Sequence, residues 1–176
     1  MRSAWLGSAD MRIPVYWIIG FSPGRLGIVP RPRGGDWLHE EIQSLGVSGA
    51  DVIVSLLEES EETELDLVRE GLACEKHRLS FVSFPIGDRG VPSSKDATLG
   101  LADDLLKFVK DGKSVVVHCR QSVGRSSLIA ACVLVLDGVA VDEAFQRITV
   151  ARGCEVPDTR QQRMWVGDFA RWLLSR

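Results

Sequence analysis

The chain has 176 residues, of which 45% are hydrophobic and 26% charged, with a formal net charge of -3. This size and composition predict one globular domain over residues 1–176, with a core large enough to need no disulfide staples. The small negative charge argues against wholesale binding to nucleic acid or to an anionic membrane. Residues 1–10 lack the apolar core of a secretory signal. The longest apolar run, residues 128–136, is too short to cross a bilayer.

In the first half of the chain, short apolar runs alternate with segments of helical periodicity. The apolar runs predict strands at residues 15–19, 26–29, 51–57 and 79–84. Helical spacing predicts one helix over residues 36–45, with Asp36 as its N-cap, and another from Ser60 through Leu72. We interpret the acidic residues of segment 58–64 as complementing the helix dipole and forming a solvated surface.

The second half begins with a loop at residues 86–92 that is rich in glycine and proline. A helix capped by Ser93 and Asp96 should follow, ending at Gly112 before a buried strand at 114–117. Further helices are predicted at 128–136, at 142–151, and from a capping box at 158–161 to the end of the chain. Alternating strands and helices predict an α/β fold with a central, largely parallel sheet flanked by helices.

The loop after the strand at 114–117 carries the chemistry: its sequence is His118-Cys119-Arg120-Gln121-Ser122-Val123-Gly124-Arg125-Ser126. At a strand-to-helix turn, free backbone N–H groups and the positive end of the helix dipole together make an anion site. Arg125 can add a bidentate grip on a phosphate, in a field that favours the thiolate of Cys119. A nucleophile below a phosphate cradle predicts phosphoryl transfer through a cysteinyl-phosphate.

The motif His-Cys-x5-Arg-Ser after an apolar strand resembles the signature loop of the cysteine-dependent protein tyrosine phosphatases. The whole chain is similar to their compact dual-specificity branch. This resemblance implies a metal-independent and cofactor-independent phosphatase with Cys119 as nucleophile, Ser126 as the hydroxyl that assists the thiolate, and His118 as the residue that orients the loop. It also implies that phosphate is bound by Arg125 and by the backbone amides of Arg120, Gln121, Ser122, Val123 and Gly124. Many relatives carry glycine where this chain has Ser122.

Asp88 is the predicted general acid, because the stretch 84–92 resembles the general-acid loop of dual-specificity enzymes. Arg89 and Gln162 are candidates for positioning the substrate or water. Gln162 matches a glutamine of the water-positioning segment in the tyrosine-specific branch, but Asp158 replaces the principal glutamine of that segment. We therefore expect Asp158 to cap the last helix instead.

The predicted substrate is a phosphorylated protein or peptide. Tyr16 is the single tyrosine, so few residues could form the tyrosine wall of a deep, tyrosine-only pocket, and phosphoserine or phosphothreonine should also fit. A non-protein phosphate (a phosphoinositide, an inositol phosphate or an RNA 5′ end) is an alternative, although the loop lacks the lysines of lipid-phosphate relatives. A silent phosphopeptide-binding module is a further alternative, disfavoured by the presence of Cys119, Arg125, Ser126 and Asp88.

The cysteines Cys74, Cys119, Cys132 and Cys154 form neither a C-x-x-C pair nor a zinc pattern. Because Cys119 must be a free thiolate, the protein should work in a reducing compartment, and we therefore expect it to be cytoplasmic. For the oligomeric state, a monomer is the default expectation. Whether another thiol pairs with an oxidised Cys119 stays open. Arg25, Arg31 and Arg33 lie in a segment rich in glycine and proline that reads as a solvated loop, with a basic rim around an anionic substrate as the alternative.

Overall fold

The computed structural model describes residues 12–176, so the N-terminal segment judged to lack a secretory signal lies outside it. A five-stranded sheet has the order β1-β2-β5-β3-β4. Its strands are β1 (Tyr16–Ile18), β2 (Arg25–Val29), β3 (Val52–Ser55), β4 (Ser80–Ser83) and β5 (Ser114–His118). The β1–β2 pair is antiparallel, whereas β2, β5, β3 and β4 pair in parallel. The predicted mixed, largely parallel sheet is therefore confirmed.

Helices cover both faces of the sheet. They are α1 (Leu38–Val47), α2 (Glu59–Glu64), α3 (Glu70–Lys76), α4 (Lys95–Lys110), α5 (Arg125–Leu136), α6 (Val141–Arg152) and α7 (Arg160–Leu174). Alternate side chains of β5 serve two cores: Val115 and Val117 pack with α4, α5, α6 and α7, and Val116 packs with α1 and α3. Among the described residues, no helix has the length and hydropathy needed to cross a membrane.

The central strand and the central helix fix the loop between them. All five residues of β5 are buried, as are ten of the twelve residues of α5. A strand buried on both faces and a helix that is apolar almost all round are held from every side. The six residues 119–124 are thereby confined between two elements that cannot move independently.

The single helix predicted from Ser60 to Leu72 is wrong, because the chain forms two short helices there. Asp66 takes a positive φ of 55°, which ends α2, and Leu67 turns into the core. The first of these helices is capped by Glu58 rather than Ser60, in a capping box with Glu61. Glu61 is also buried, so the interpretation of this stretch as solvated surface is wrong at that position.

Three other helix starts differ from the prediction by one or two residues. A 3₁₀ turn at Gly35–Trp37 takes up Asp36, and α1 begins only after it. The hydroxyl of Ser94, not of Ser93, accepts the hydrogen bond that caps α4. Thr159, not Asp158, forms the capping box of α7 with Gln162. Ser94 and Thr159 both have the extended backbone conformation that is typical of an N-cap residue, so their side chains cap the two helices.

Candidate active site

The loop 119–124 lies at the carboxyl end of β5, between the ends of β2 and β3. It forms the floor of a cleft. The cleft is lined by Asp88, Arg89, Cys119, Arg120, Gln121, Val123, Gly124, Arg125, Asp158 and Gln162. The structure thus brings most of the predicted site residues to one place, from β5, α5, α7 and the loop that follows β4. His118, Ser122 and Ser126 are buried beneath this surface.

Cys119 is buried, with 3% of its surface exposed. Its Sγ lies 3.4 Å from the hydroxyl oxygen of Ser126, in the first turn of α5. Burial pushes the pKa of the Cys119 thiol upward, but hydrogen bonds from the hydroxyl and backbone amide of Ser126, together with the charge of Arg125, outweigh burial and lower it. The loop therefore favours the thiolate, the reactive form of cysteine.

Arg125 is 2% exposed and is held by a buried carboxylate that the sequence did not reveal. Its Nη1 and Nη2 donate to Glu61 Oε2 and Oε1 at 2.7 and 2.9 Å, a bidentate pair. Nη1 also donates to the carbonyl of Ile86 at 2.8 Å. Burial pushes the pKa of Glu61 upward, but its bonds to Arg125 and to the Glu58 amide leave that pKa lowered. Glu61 thus remains ionised and fixes the plane of the guanidinium.

Asp88 reaches the same guanidinium from the other side. Its Oδ1 accepts from Arg125 Nη2 at 3.1 Å, while 56% of its side chain is exposed. The loop after β4 carries it there, anchored by the bond from the amide of Ile86 to the carbonyl of Leu56. An exposed carboxylate at the edge of an anion cradle can reach a bound substrate.

His118 is fully buried behind the loop. Its Nδ1 lies 3.3 Å from the carbonyl oxygen of Cys119, and its Nε2 lies 2.8 Å from Glu70 Oε1. Burial pushes the pKa of His118 downward, but Glu70 outweighs it and raises the pKa above the usual value. Glu70 is a second buried carboxylate that was not singled out from the sequence. Its spacing to Leu67, Ala73 and Cys74, all buried, was the available signal.

Comparisons with known proteins identify the family of the chain. The family model described as "Polymorphic toxin system, DSP-PTPase phosphatase" matches residues 29–139, which include Asp88, Cys119 and Arg125. The chain belongs to this phosphatase family. This family is that of the cysteine-dependent phosphatases of the dual-specificity type, so the family expected from the loop sequence is confirmed.

Relatives and solved structures agree with the family. The phosphatase is 27% identical over 147 residues to cyclin-dependent kinase inhibitor 3 of Rattus norvegicus, and 26% identical over 136 residues to the Homo sapiens protein. These matches cover 78% and 74% of the chain, but only 66% and 60% of the relatives. A crystal structure of the kinase associated phosphatase, with its catalytic cysteine replaced by serine, superposes with a TM-score of 0.85 at 19% identity. That match covers 96% of this chain and 99% of the other.

A second fold relative is Tk-PTP in its active form, with a TM-score of 0.73 at 22% identity. The match covers 89% of this phosphatase and 96% of that chain. At these identities the two structures speak for the fold alone. They agree with the parallel sheet and the buried strand-loop-helix described above.

Ser122 occupies a backbone conformation that favours glycine, the residue that the family resemblance leads one to expect at this position. Its φ is +59°, in the left-handed region that costs a residue with a Cβ roughly 1–2 kcal/mol. The buried hydroxyl of Ser122 donates to the backbone carbonyl of Val29, at the end of β2. Arg152 of α6, another residue missed from the sequence, donates through Nε to the carbonyl of Ser122 at 3.2 Å. The loop is therefore tied to the sheet and to α6.

The rim of the phosphatase cleft carries paired charges. Arg120 donates to the exposed Glu64 at 2.6 Å, and Arg89 lies 3.3 Å from Asp158. Gln162 lies in the cleft lining, but its side-chain amide is engaged: Oε1 accepts from the Thr159 amide and Nε2 donates to the carbonyl of Gly90, both at 3.1 Å. It thereby ties α7 to the loop that bears Asp88.

The three early arginines do not form a common rim. Arg25 begins β2, at the end of the sheet opposite the loop, where it donates to Ser114 Oγ and stacks on Trp17. Arg33 is held by Glu41 at 2.6 Å. Arg31 lies near enough to Glu64 to contribute to lowering the pKa of that carboxyl, after the larger effect of Arg120. The described residues include no cluster of three His, Cys, Asp or Glu side chains that could hold a metal ion.

We expect the hydrogen bond from the Ser122 hydroxyl to offset the conformational cost of the positive φ at this residue. Ser122→Ala keeps the conformational cost and strips the Val29 carbonyl of its bond, so the free energy of unfolding should fall by about 1–3 kcal/mol. Ser122→Gly loses the same bond but removes the conformational cost of the positive φ, so the free energy of unfolding should fall by less. Urea denaturation measures both.

Ser127→Ala is the matched control, because the buried hydroxyl of Ser127 has no hydrogen-bond partner among the described residues. This variant should be at least as stable as the parent. Equal stability of Ser122→Ala and the parent would contradict the account of the loop.

Proposed function

We propose that the phosphatase hydrolyses phosphomonoesters of protein substrates through a cysteinyl-phosphate intermediate on Cys119. The observation that carries this proposal is the position of Cys119, which lines the same cleft as Arg125 and whose Sγ lies 3.4 Å from the hydroxyl oxygen of Ser126. A thiolate at the floor of an anion cradle can attack a phosphorus atom held directly above it. The S–P bond forms as the P–O bond to the leaving group breaks.

Arg125 and the amides of residues 120–124 would hold the phosphoryl oxygens. Because Glu61 and the Ile86 carbonyl already occupy Nη1, the guanidinium meets phosphate through Nε and through the Nη2 edge that now faces Asp88. A fixed guanidinium stabilises the charge on the equatorial oxygens without reorganising during the reaction. Glu61 therefore acts as a positioning residue for Arg125.

Asp88 would serve as general acid and then as general base. Its proton passes to the leaving oxygen as the P–O bond breaks. In the second step a water attacks phosphorus and gives its proton to Asp88, and the S–P bond breaks to restore the Cys119 thiolate. The hydroxyl of Ser126, 3.4 Å from Sγ, stabilises the departing thiolate. Gln162, through its bond to Gly90, would position the loop that carries Asp88.

A phosphorylated protein is the substrate class we favour. Among the residues that the structure describes, the lining of the cleft includes no aromatic side chain that would restrict entry to phosphotyrosine, so phosphoserine and phosphothreonine should enter as well. Two relatives bear the name cyclin-dependent kinase inhibitor 3, which refers to an action on a protein. This name supports a phosphoprotein substrate for the present chain.

A substrate panel tests the proposal. Phosphate release from a phosphotyrosine peptide, a phosphothreonine peptide and a soluble phosphoinositide should be compared by kcat/KM, with EDTA present throughout. We expect hydrolysis of both peptides and at least about tenfold lower kcat/KM for the phosphoinositide, because the loop has no lysine to meet additional phosphates. Cys119→Ser should release no phosphate, because a hydroxyl is far less acidic than a thiol.

Cys154→Ser is the control, since Cys154 is exposed and lies outside the cleft lining. Turnover that survives in Cys119→Ser, or that requires a divalent metal, contradicts the mechanism. A phosphoinositide that is the best substrate contradicts the substrate class and leaves the mechanism standing.

The role of Asp88 as general acid predicts a dependence on the leaving group. In Asp88→Asn, kcat/KM for phenyl phosphate should fall by about 10²–10⁴-fold, because this parameter reports the step in which the leaving oxygen needs a proton. The loss for p-nitrophenyl phosphate should be much smaller, since that phenolate leaves without help. Asp96→Asn is the control: Asp96 pairs with Arg176 at 2.8 Å, away from the cleft. Equal losses for both esters would exclude Asp88 as the acid.

A further inference from the structure

A buried ion pair lies directly behind the phosphate-binding loop, and the mechanism above gives it no role. It joins His118, the last residue of β5, to Glu70, the first residue of α3. The side chains of His118 and Glu70 are 0% and 1% exposed, so water solvates neither charged group. Since the isolated burial of a charge is costly, such a pair persists only where each partner neutralises the other.

The partners of the two ring nitrogens of His118 indicate which of these nitrogens carry a proton. The carbonyl oxygen of Cys119, 3.3 Å from Nδ1, can only accept a hydrogen bond, so Nδ1 carries a proton. If the ring were neutral, Nε2 would then present a lone pair to the carboxylate oxygen of Glu70, 2.8 Å away. Two acceptors at that distance repel each other. The contact is attractive when a proton lies between these two atoms, and the raised pKa of His118 places that proton on Nε2, so His118 is an imidazolium.

We propose that Glu70 is a positioning residue of the phosphatase: it holds His118 as an imidazolium, which fixes the Cys119 carbonyl and places a positive charge directly behind the Cys119 thiolate. The inference rests on the proposed function, because it concerns the activation of the same nucleophile. It adds a charged residue from α3, a helix that contributes nothing to the lining of the cleft.

The other ionisable groups around the pair do not compete for this role. Glu62 of α2 lies near enough to feel both members of the pair: burial and the charge of Glu70 raise its pKa, and the charge of His118 opposes that rise. Cys74 lies one helical turn beyond Glu70, and burial together with Glu70 raises its pKa to about 12, so it stays a neutral thiol. The second oxygen of Glu70, Oε2, is buried without a hydrogen-bond partner among the described residues. The Glu70 carboxylate therefore depends on His118 for its neutralisation.

Glu70→Gln separates the charge of this residue from its shape. The glutamine amide can donate to Nε2 of a neutral ring, and Nδ1–H then stays on the Cys119 carbonyl. The position of the loop is preserved while the imidazolium is lost. Because an opposite charge nearby favours the charged form of a group, the pH at which Cys119 becomes a thiolate should rise by about one unit.

The readout is the rate at which iodoacetamide alkylates Cys119, measured between pH 4 and pH 9 and followed on the Cys119 peptide by mass spectrometry. At pH values below both midpoints, Glu70→Gln should be alkylated about tenfold more slowly than the parent. Glu41→Gln, which removes the buried carboxylate of α1 that holds Arg33 in the segment between β2 and α1, should alkylate like the parent. An unchanged profile in Glu70→Gln overturns the proposal.

A double variant tests whether Glu70 acts through His118. In the His118→Gln background, adding Glu70→Gln should not raise the midpoint further, and a full additional rise contradicts the proposed route. A measurement on the parent protein covers the case in which a variant fails to fold. Nitrogen NMR of labelled histidine should show both ring nitrogens of His118 protonated at pH 7.5, and a neutral ring contradicts the proposal. Alkylation and NMR need no turnover, so failure here is distinguishable from an absence of phosphatase activity.

Discussion

Keeping a negative charge on a buried sulfur is the constraint on which the site depends. Cys119 is almost fully enclosed, and enclosure alone would keep it a neutral thiol, as it does for Cys132, whose pKa is raised by burial. The difference lies in the donors: a hydroxyl and backbone amides of the loop and of α5 point at one sulfur, and Arg125 lies beside it. These donors converge because β5 and α5 are both buried and hold the six intervening residues in one tight turn.

The charges around that sulfur alternate in sign across the site. They run from Glu70 to His118, Cys119, Arg125 and Glu61. Buried hydrogen bonds join Glu70 to His118 and Arg125 to Glu61, and the buried Cys119 interacts electrostatically with His118 and Arg125. Each member is neutralised by its neighbours, which lowers the cost of burying it. Removal of one member leaves its neighbour unpaired, at a cost of about 3–5 kcal/mol for a buried pair. The two carboxylates come from α2 and α3, so these short helices contribute to the electrostatics of the site even though they lie outside the loop.

The sheet, the loop and its two buried neighbours could be predicted from the sequence because their signals are local. The residues of β5 and α5 form continuous apolar runs, and the residues that face phosphate are contiguous from Cys119 to Ser126. Asp88 could also be proposed, since it lies in a loop rich in glycine and proline that follows a strand. These features depend on sequence spacing alone and need no knowledge of the packing of distant segments.

Glu61, Glu70 and Arg152 were not predicted because their partners are distant in sequence. Glu61 is one of several acidic residues in a stretch that also suits a helix start, and nothing in its neighbourhood distinguishes the one that turns inward. The spacing of Glu70 to buried residues indicated a buried carboxylate, but not its partner, 48 positions away. Sequence patterns therefore do not predict which charged residues pair over long sequence separations, and these pairs become visible only in the structure.

Trapping the covalent intermediate tests the central claim most directly. A phosphatase mixed with an excess of ³²P-labelled aryl phosphate and quenched within milliseconds should carry the label on the peptide that contains Cys119, linked through an S–P bond. The label should appear before free phosphate and decay as water enters. Phosphate released without a labelled protein, or label on a residue other than Cys119, would contradict the account.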